Sequence, residues 1–338
     1  MSLKKLPTGK ISKELLKRYV FNCLGVPNDR VLKGPLIGED AAIIDTCDTV
    51  LIAKANPITG AEEKIGWLAV HINANDIAAM GAVPLWYLSI VLLPEGADES
   101  MLKTIMQQQH EACSELGVCI VGGHTEVAPN LSRPIISGFM LGEAKKNRFI
   151  TTSGAKVGDH IVLTKGIGLE GTGILASDLR ERLVGCVSDE VLSGAVKMLD
   201  MISVVPEARL ASSITGVHSM HTPTEGGLLN GLVEISEASG NGFNIIEDDL
   251  LICKETNLIC GVLGVDPLRL LSSGSLLIVV DPLKSSELVG LLASNNIPAM
   301  IIGEITDKSR IIIRKDGTME QVSDVVQDEL FRVLAETP

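Results

Sequence analysis

Four stretches, far apart in the chain, set glycine or alanine beside carboxylates: GEDAAI (38–43), NANDIAAMGA (73–82), VGGHTEV (121–127) and HTPTEGGL (221–228). The pattern ties the fold to strands and helices whose ends are small and polar. Glycine lets a ligand come close to the backbone and frees N–H groups, and a helix starting there offers a partly positive end to phosphate. Carboxylates beside such loops repel phosphate unless a cation stands between. Mg²⁺ needs only one or two of them, with phosphate oxygens and water. Taken singly, each stretch is equally a polar cap or a turn.

A chain of 338 residues, 46% hydrophobic, is long for one domain, and two is the natural expectation. Its longest apolar runs, LWYLSIVLLP (85–94) and SLLIVVDP (275–282), fall short of the roughly 20 residues of a membrane span. The opening MSLKKLPTGK has charge but no apolar stretch behind it, so no secretory signal is expected. Seven scattered cysteines without a CxxC pair read as free thiols, and the expected location is the reducing cytoplasm. A net charge of −13 and 3% aromatics speak against nucleic acid as a partner.

Periodicity predicts a helix over 11–24 with Ser12 as its cap, a hairpin over 34–57 turning at Asp45–Asp48, and a helix over 62–82. A buried strand follows (83–94), then an amphipathic helix over 99–117 ended by Gly117, then strands in VCIVGGHTEV and RPIISGFMLGEA. The turn-rich EAKKNRFITTSGAKVGD (143–159) marks a junction. Beyond it come a strand (160–164), a glycine-rich turn with a helix, a second helix start after HTPTEGG, a β-α-β-β closure, and a last helix over 321–335. The expected fold class is α+β. It comprises an N-terminal arm (1–34), a sheet-plus-helices domain (35–150) and a second mixed α/β domain (151–338).

In this order the four stretches resemble the aminoimidazole-ribonucleotide-synthetase-like (PurM-like) superfamily, and within it the hydrogenase expression/formation (HypE-type) family. GEDAAII resembles that family's Gly-Asp-Asp-Ala-Ala. LAVHINANDIAAMGAVPLW resembles its helix with Asn-Asp and Met-Gly-Ala-x-Pro, and TPTEGGLLNGLVEISEASGNGFNI its second helix start. The resemblance implies a homodimer with ATP in a groove between the two domains. It also implies Mg²⁺ activating the terminal phosphate for attack by a carboxamide, carbonyl or phosphate oxygen. Such transfer rests on positioning and charge neutralisation. Carried over by position, Glu39, Asp40 and Asp76 are metal candidates. Gly38, Asn75, Gly122, Gly123, Thr125, Gly226 and Gly227 are nucleotide candidates, with Lys165 as a cation at the start of the second half. His124 and Glu126 are the catalytic candidates. A protein partner in a maturation pathway is implied as well.

The chain departs from the pattern in four places. Asn56 stands where the family has an aspartate at a strand end, His124 follows the glycine pair where an acid is common, and Thr222 replaces the aspartate before Pro-Thr. The sequence ends RVLAETP, without the terminal cysteine that carries the carboxamide in the hydrogenase branch, so the expected acceptor is another molecule. A nucleotide-holding paralogue without catalysis and a thiamine-monophosphate-kinase-like phosphotransferase stay as alternatives. So does a zinc site built from His218 and His221, with Glu225 close by and His124 joining them in space.

Overall fold

Alternation along the early strands builds the first sheet. The computed structural model describes residue 6 and residues 11–59, 63–323 and 326–335. Strands β1 (Val31–Lys33), β2 (Ala42–Asp45), β3 (Thr49–Ile58), β4 (Val83–Leu93), β5 (Cys119–Val127) and β6 (Ile135–Lys145) pair in the order β1-β2-β3-β6-β4-β5. The β2–β3 hairpin closes where the sequence predicts it, with Asp45 opposite Val50. Ile52, Tyr87, Val91, Ile136 and Met140 turn to one face and are buried. Two helices cover that face.

After a three-residue turn of helix, α1 (Lys13–Leu15), these are α2 (Ile65–Ala79) and α3 (Glu99–Leu116). α3 is the crossover between the parallel strands β4 and β5, and it stops at Gly117 in the left-handed conformation. In α2 every residue except Trp67 is buried. A helix buried on all sides has to satisfy its polar residues internally, which fixes the roles of Asn73, Asn75 and Asp76.

The helix expected over 11–24 is shorter. α1 runs into a wider turn at Leu16–Val20 and buries nothing, because Tyr19 and Val20 find no core to face. Ser12 caps it as expected. Most of the opening MSLKKLPTGK and the terminal Pro338 lie outside the described residues.

The second sheet follows a linker at 146–159. Its strands are β7 (His160–Thr164), β8 (Val217–His221), β9 (Gly242–Ile246), β10 (Leu277–Val280), β11 (Ala299–Thr306), β12 (Arg310–Ile313) and β13 (Met319–Gln321), ordered β13-β12-β9-β11-β7-β10-β8. Its helices are α4 (Leu169–Asp178), α5 (Arg180–Leu183), α6 (Asp189–Lys197), α7 (Val205–Ala211), α8 (Gly227–Ser239), α9 (Lys254–Leu263), α10 (Pro282–Ser294) and α11 (Glu329–Ala335). Ile161, Leu163, Leu277 and Val279 pack with Leu228 and Leu232 of α8. Val162, Ile278 and Val280 pack with Ala208 and Leu288 on the other face. Both faces are therefore covered. Ala78 and Ala79 of α2 join the second cluster, tying the two halves together.

The last helix begins at Glu329, not near 321, because Asp328 accepts the Leu330 N–H at 2.7 Å and sets its start there. Among the described residues no helix is long and apolar enough to cross a membrane, and all seven cysteines are free thiols.

Candidate functional site

Asp76, near the end of α2, holds the centre of the site. Its Oδ1 accepts the Thr222 hydroxyl at 2.7 Å, and its Oδ2 accepts the Asn56 amide at 2.8 Å and faces the Lys54 ammonium at 2.9 Å. Lys54 and Asn56 are two apart on β3, so the pleat points both at α2. Thr222 follows β8, and its neighbour His221 reaches the other acid. His221 Nδ1 stands 2.8 Å from Asp40 Oδ1 without the alignment of a hydrogen bond, and its Nε2 pairs with Glu234 at 2.9 Å.

Burial opposes a charge on His221, but the flanking carboxylates of Asp40 and Glu234 prevail and push its pKa up to about 10. Burial lifts the Asp40 carboxyl above its ordinary value, with His221 opposing. Asp40 and Asp76 thus meet at the end of β8, Asp76 beside Lys54 and Asp40 beside His221.

Other candidates serve the framework. Glu39 turns away from Asp40 to accept the N–H groups of Thr152 and Ser153 at 3.1 and 3.3 Å, with Lys33 at 3.4 Å. Gly38 has φ +84°, and a Cβ there would stand 2.4 Å from the Glu234 carbonyl, so packing on α8 demands the glycine. Asn75 donates to the Ile202 carbonyl and accepts from the Val204 N–H, both at 2.8 Å, clamping α2 to the second half. Lys165 is a correction: its buried ammonium binds Glu207 at 2.7 Å and the carbonyls of Met201 and Ser203 at 2.8 and 2.6 Å, and so is not presented to a phosphate. At the start of α8 the Gly226 N–H donates to Asp328 at 2.6 Å, so a carboxylate of this chain stands where a phosphate was expected. Gly227 packs within the chain, under the carbonyls of Leu268 and Leu270.

VGGHTEV forms β5, an exposed sheet edge. His124 Nε2 lies 3.3 Å from Glu126 Oε2, and both side chains are more than half exposed. Gly122 and Thr125 are exposed too, and a Cβ at Gly123 would meet the Ser89 carbonyl at 2.2 Å. Register places Asn56, Gly138, Ser89 and Gly123 in one row across β3, β6, β4 and β5. Three strand spacings, about 14 Å, separate Gly123 from Asn56. The structure therefore joins Asp40 to Asp76 and leaves the glycine pair on the far edge of the same sheet.

The zinc reading fails on geometry. His218 and His221 are three apart on a strand and face opposite ways, His218 toward Asp159 at 2.9 Å. Among the described residues no three His, Cys, Asp or Glu side chains gather to hold a metal ion. The resemblance implies magnesium on Glu39, Asp40 and Asp76, and these residues do not fit it: Glu39 holds amides, Asp76 has donors on both oxygens and the Lys54 ammonium beside it, and the His221 ring stands against Asp40. Only Asp40 Oδ2 lacks a partner. Sequence reasoning missed Lys54, Glu234 and Asp328. The available signal was a lysine interrupting an apolar strand two residues before Asn56.

The pattern described as AIR synthase related protein, N-terminal domain, matches residues 36–144, and its C-terminal counterpart matches 156–316. A carbamoyl dehydratase HypE of Cupriavidus necator is 30% identical over 80% of this chain and 76% of its own length. The chain belongs to the AIR synthase related family. A putative hydrogenase expression/formation protein of Methanocaldococcus jannaschii is 29% identical over 96% of this chain and 97% of its own. Among solved structures, the HypE–HypF complex superposes with TM-score 0.76 at 24% identity, covering 91% of this chain and 99% of that one. Hydrogenase maturation protein HypE in complex with ATP gives 0.69 at 22%, covering 96% and 97%. These likenesses show that the AIR synthase related fold spans both halves of the molecule.

Proposed function

We propose that this chain binds ATP and transfers its terminal phosphoryl group to a carboxamide-type oxygen carried by another molecule. The observation that carries this reading is the identity to a carbamoyl dehydratase across four fifths of the chain. Two features support it: the ATP complex of a protein of the same fold, and a cavity of about 1200 Å³ beside Glu39 whose rim includes Lys17, Lys33, Lys308 and Arg310. Cations on a rim suit a triphosphate.

In the proposed reaction the amide oxygen forms a bond to the γ-phosphorus and ADP leaves. The resulting C–O–P ester then loses phosphate, and the carbon keeps its nitrogen as a nitrile, the two N–H protons passing to phosphate and water. The chain's part is orientation and charge neutralisation. Magnesium belongs to this reading as the counter-ion that arrives on the nucleotide. The reading also includes a homodimer, a maturation partner of the kind seen with HypE in the HypE–HypF complex, and a cytoplasmic location, for which the free thiols speak.

A second reading, nucleotide holding without transfer, is favoured by one observation: both oxygens of Asp76 already have partners. Purified chain incubated with ATP and small carboxamides, with ADP read by chromatography, separates the two. Acceptor-dependent ADP release is expected. Thermal stabilisation by ATP without ADP release supports the holding role, and the absence of both ends the nucleotide reading.

A further inference from the structure

Three positions that carry acids in the resembled pattern converge on one point here, and two of them are neutral: Asn56 and Thr222 both donate to Asp76. With the Lys54 ammonium these donors take up three of that carboxylate's roughly four acceptor sites. The Lys54 ammonium stands 2.9 Å from it, on the same strand face as Asn56. Asp40 repeats the arrangement with His221, which Glu234 holds from the other side. Three acids of the cluster, Asp40, Asp76 and Glu234, thus share two basic side chains of the chain itself, Lys54 and His221. A divalent ion placed on Asp76 would meet the Lys54 ammonium at close range, and like charges in a poorly solvated site repel strongly.

We infer that Lys54 supplies, in this chain, the positive charge that a divalent cation held by Asp76 would supply, so an anionic ligand is bound with no metal on Asp40 or Asp76. The ligand, a nucleoside triphosphate, rests on the reading under Proposed function; the claim about the metal does not. The replacement is coherent as a set: an aspartate at position 56 or 222 would place a second carboxylate against Asp76 and call for a divalent ion, whereas asparagine and threonine donate to it.

The test has two arms. In the first, Mn²⁺ alone is titrated into the nucleotide-free full chain and free Mn²⁺ is followed by electron paramagnetic resonance. No uptake is expected at submillimolar metal. The variant K54S/N56D/T222D, checked for folding by circular dichroism, is expected to take up Mn²⁺ at least about tenfold more tightly, because it regains oxygen ligands and loses the ammonium. Wild-type uptake of one Mn²⁺ per chain, abolished by Asp76→Asn, overturns the inference, and that pair decides the matter even if the triple variant does not fold.

In the second arm the thermal shift caused by ATP is measured in EDTA and in Mg²⁺. A shift that persists in EDTA and shrinks in Lys54→Met supports the inference. A shift that needs Mg²⁺ and is abolished by Asp76→Asn overturns it. No shift in either buffer counts against the nucleotide reading alone, and the Mn²⁺ titration still decides the metal.

Discussion

Glu170, in the first turn of α4, is buried and has one oxygen without a hydrogen-bond partner. Burial pushes its pKa up to about 7, and the charges of Glu225 and Asp328 add to the push. Asp328 itself is raised to about 6, chiefly by burial. A raised acid is protonated more readily folded than unfolded, so between the ordinary carboxylate range and about pH 7 the native state binds the extra proton. Stability therefore falls as pH rises through that window and stays lowered above it. Glu170→Gln removes the charge and keeps the shape. Calorimetry is expected to show the variant more stable than wild type at pH 8, by up to about 3 kcal/mol, and nearly equal at pH 5. A variant less stable at pH 8 contradicts the assignment. None of this was legible in the sequence, where Glu170 is one more charged residue at a helix start. Lys54 and Glu234 were hidden in the same way, since burial of an ion pair depends on which strands and helices meet.

At the scale of the element, α2 shows why the sequence pointed to the right segment and to only part of its role. NANDIAA announced polar residues on an apolar helix, and the structure buries all of them. Asp76 faces the site, while Asn73 and Asn75 hold backbone. Asn73 accepts the Asn56 N–H at 2.8 Å and donates to the Ala69 carbonyl at 2.8 Å. The clamp by Asn75 joins α2 to residues 202–204, so Asn75→Ala leaves a buried carbonyl and a buried N–H unpaired. Urea denaturation is expected to show a loss of about 2 kcal/mol, with the fold retained. A change below a few tenths would mean that the clamp carries no load.

Glycine was the least decisive signal. A glycine beside a carboxylate reads identically whether a ligand or a neighbouring carbonyl fills the space, and Gly38 under Glu234 is the second case. Helix ends were readable where one residue controls them, as at Gly117. They were not readable where apolar spacing lacked a core behind it, as at Tyr19 and Val20.

For the whole molecule, the face of the first sheet turned away from α2 remains to be accounted for. Leu88, Ile90, Leu92, Ile135 and Leu141 are half-buried on it, and Phe139 is exposed. Val121 and Val127 are exposed along the free edge strand β5. A contiguous apolar face beside an unpaired strand edge is unfavourable in water and marks an association surface. His124 pairs in register with Ile90 and Glu126 with Leu92, so the two catalytic candidates share this outer face. A second copy seated on this face would cover both side chains and the strand VGGHTEV with them. Light scattering on the full chain is expected to give the mass of a dimer at micromolar concentration. Ile90→Glu, which sets a charge in the middle of that face and leaves the core against α2 untouched, is expected to give a monomer with near-native circular dichroism. A wild-type monomer, or an I90E protein that remains dimeric, would remove this sheet face from the assembly and return His124 and Glu126 to open solvent.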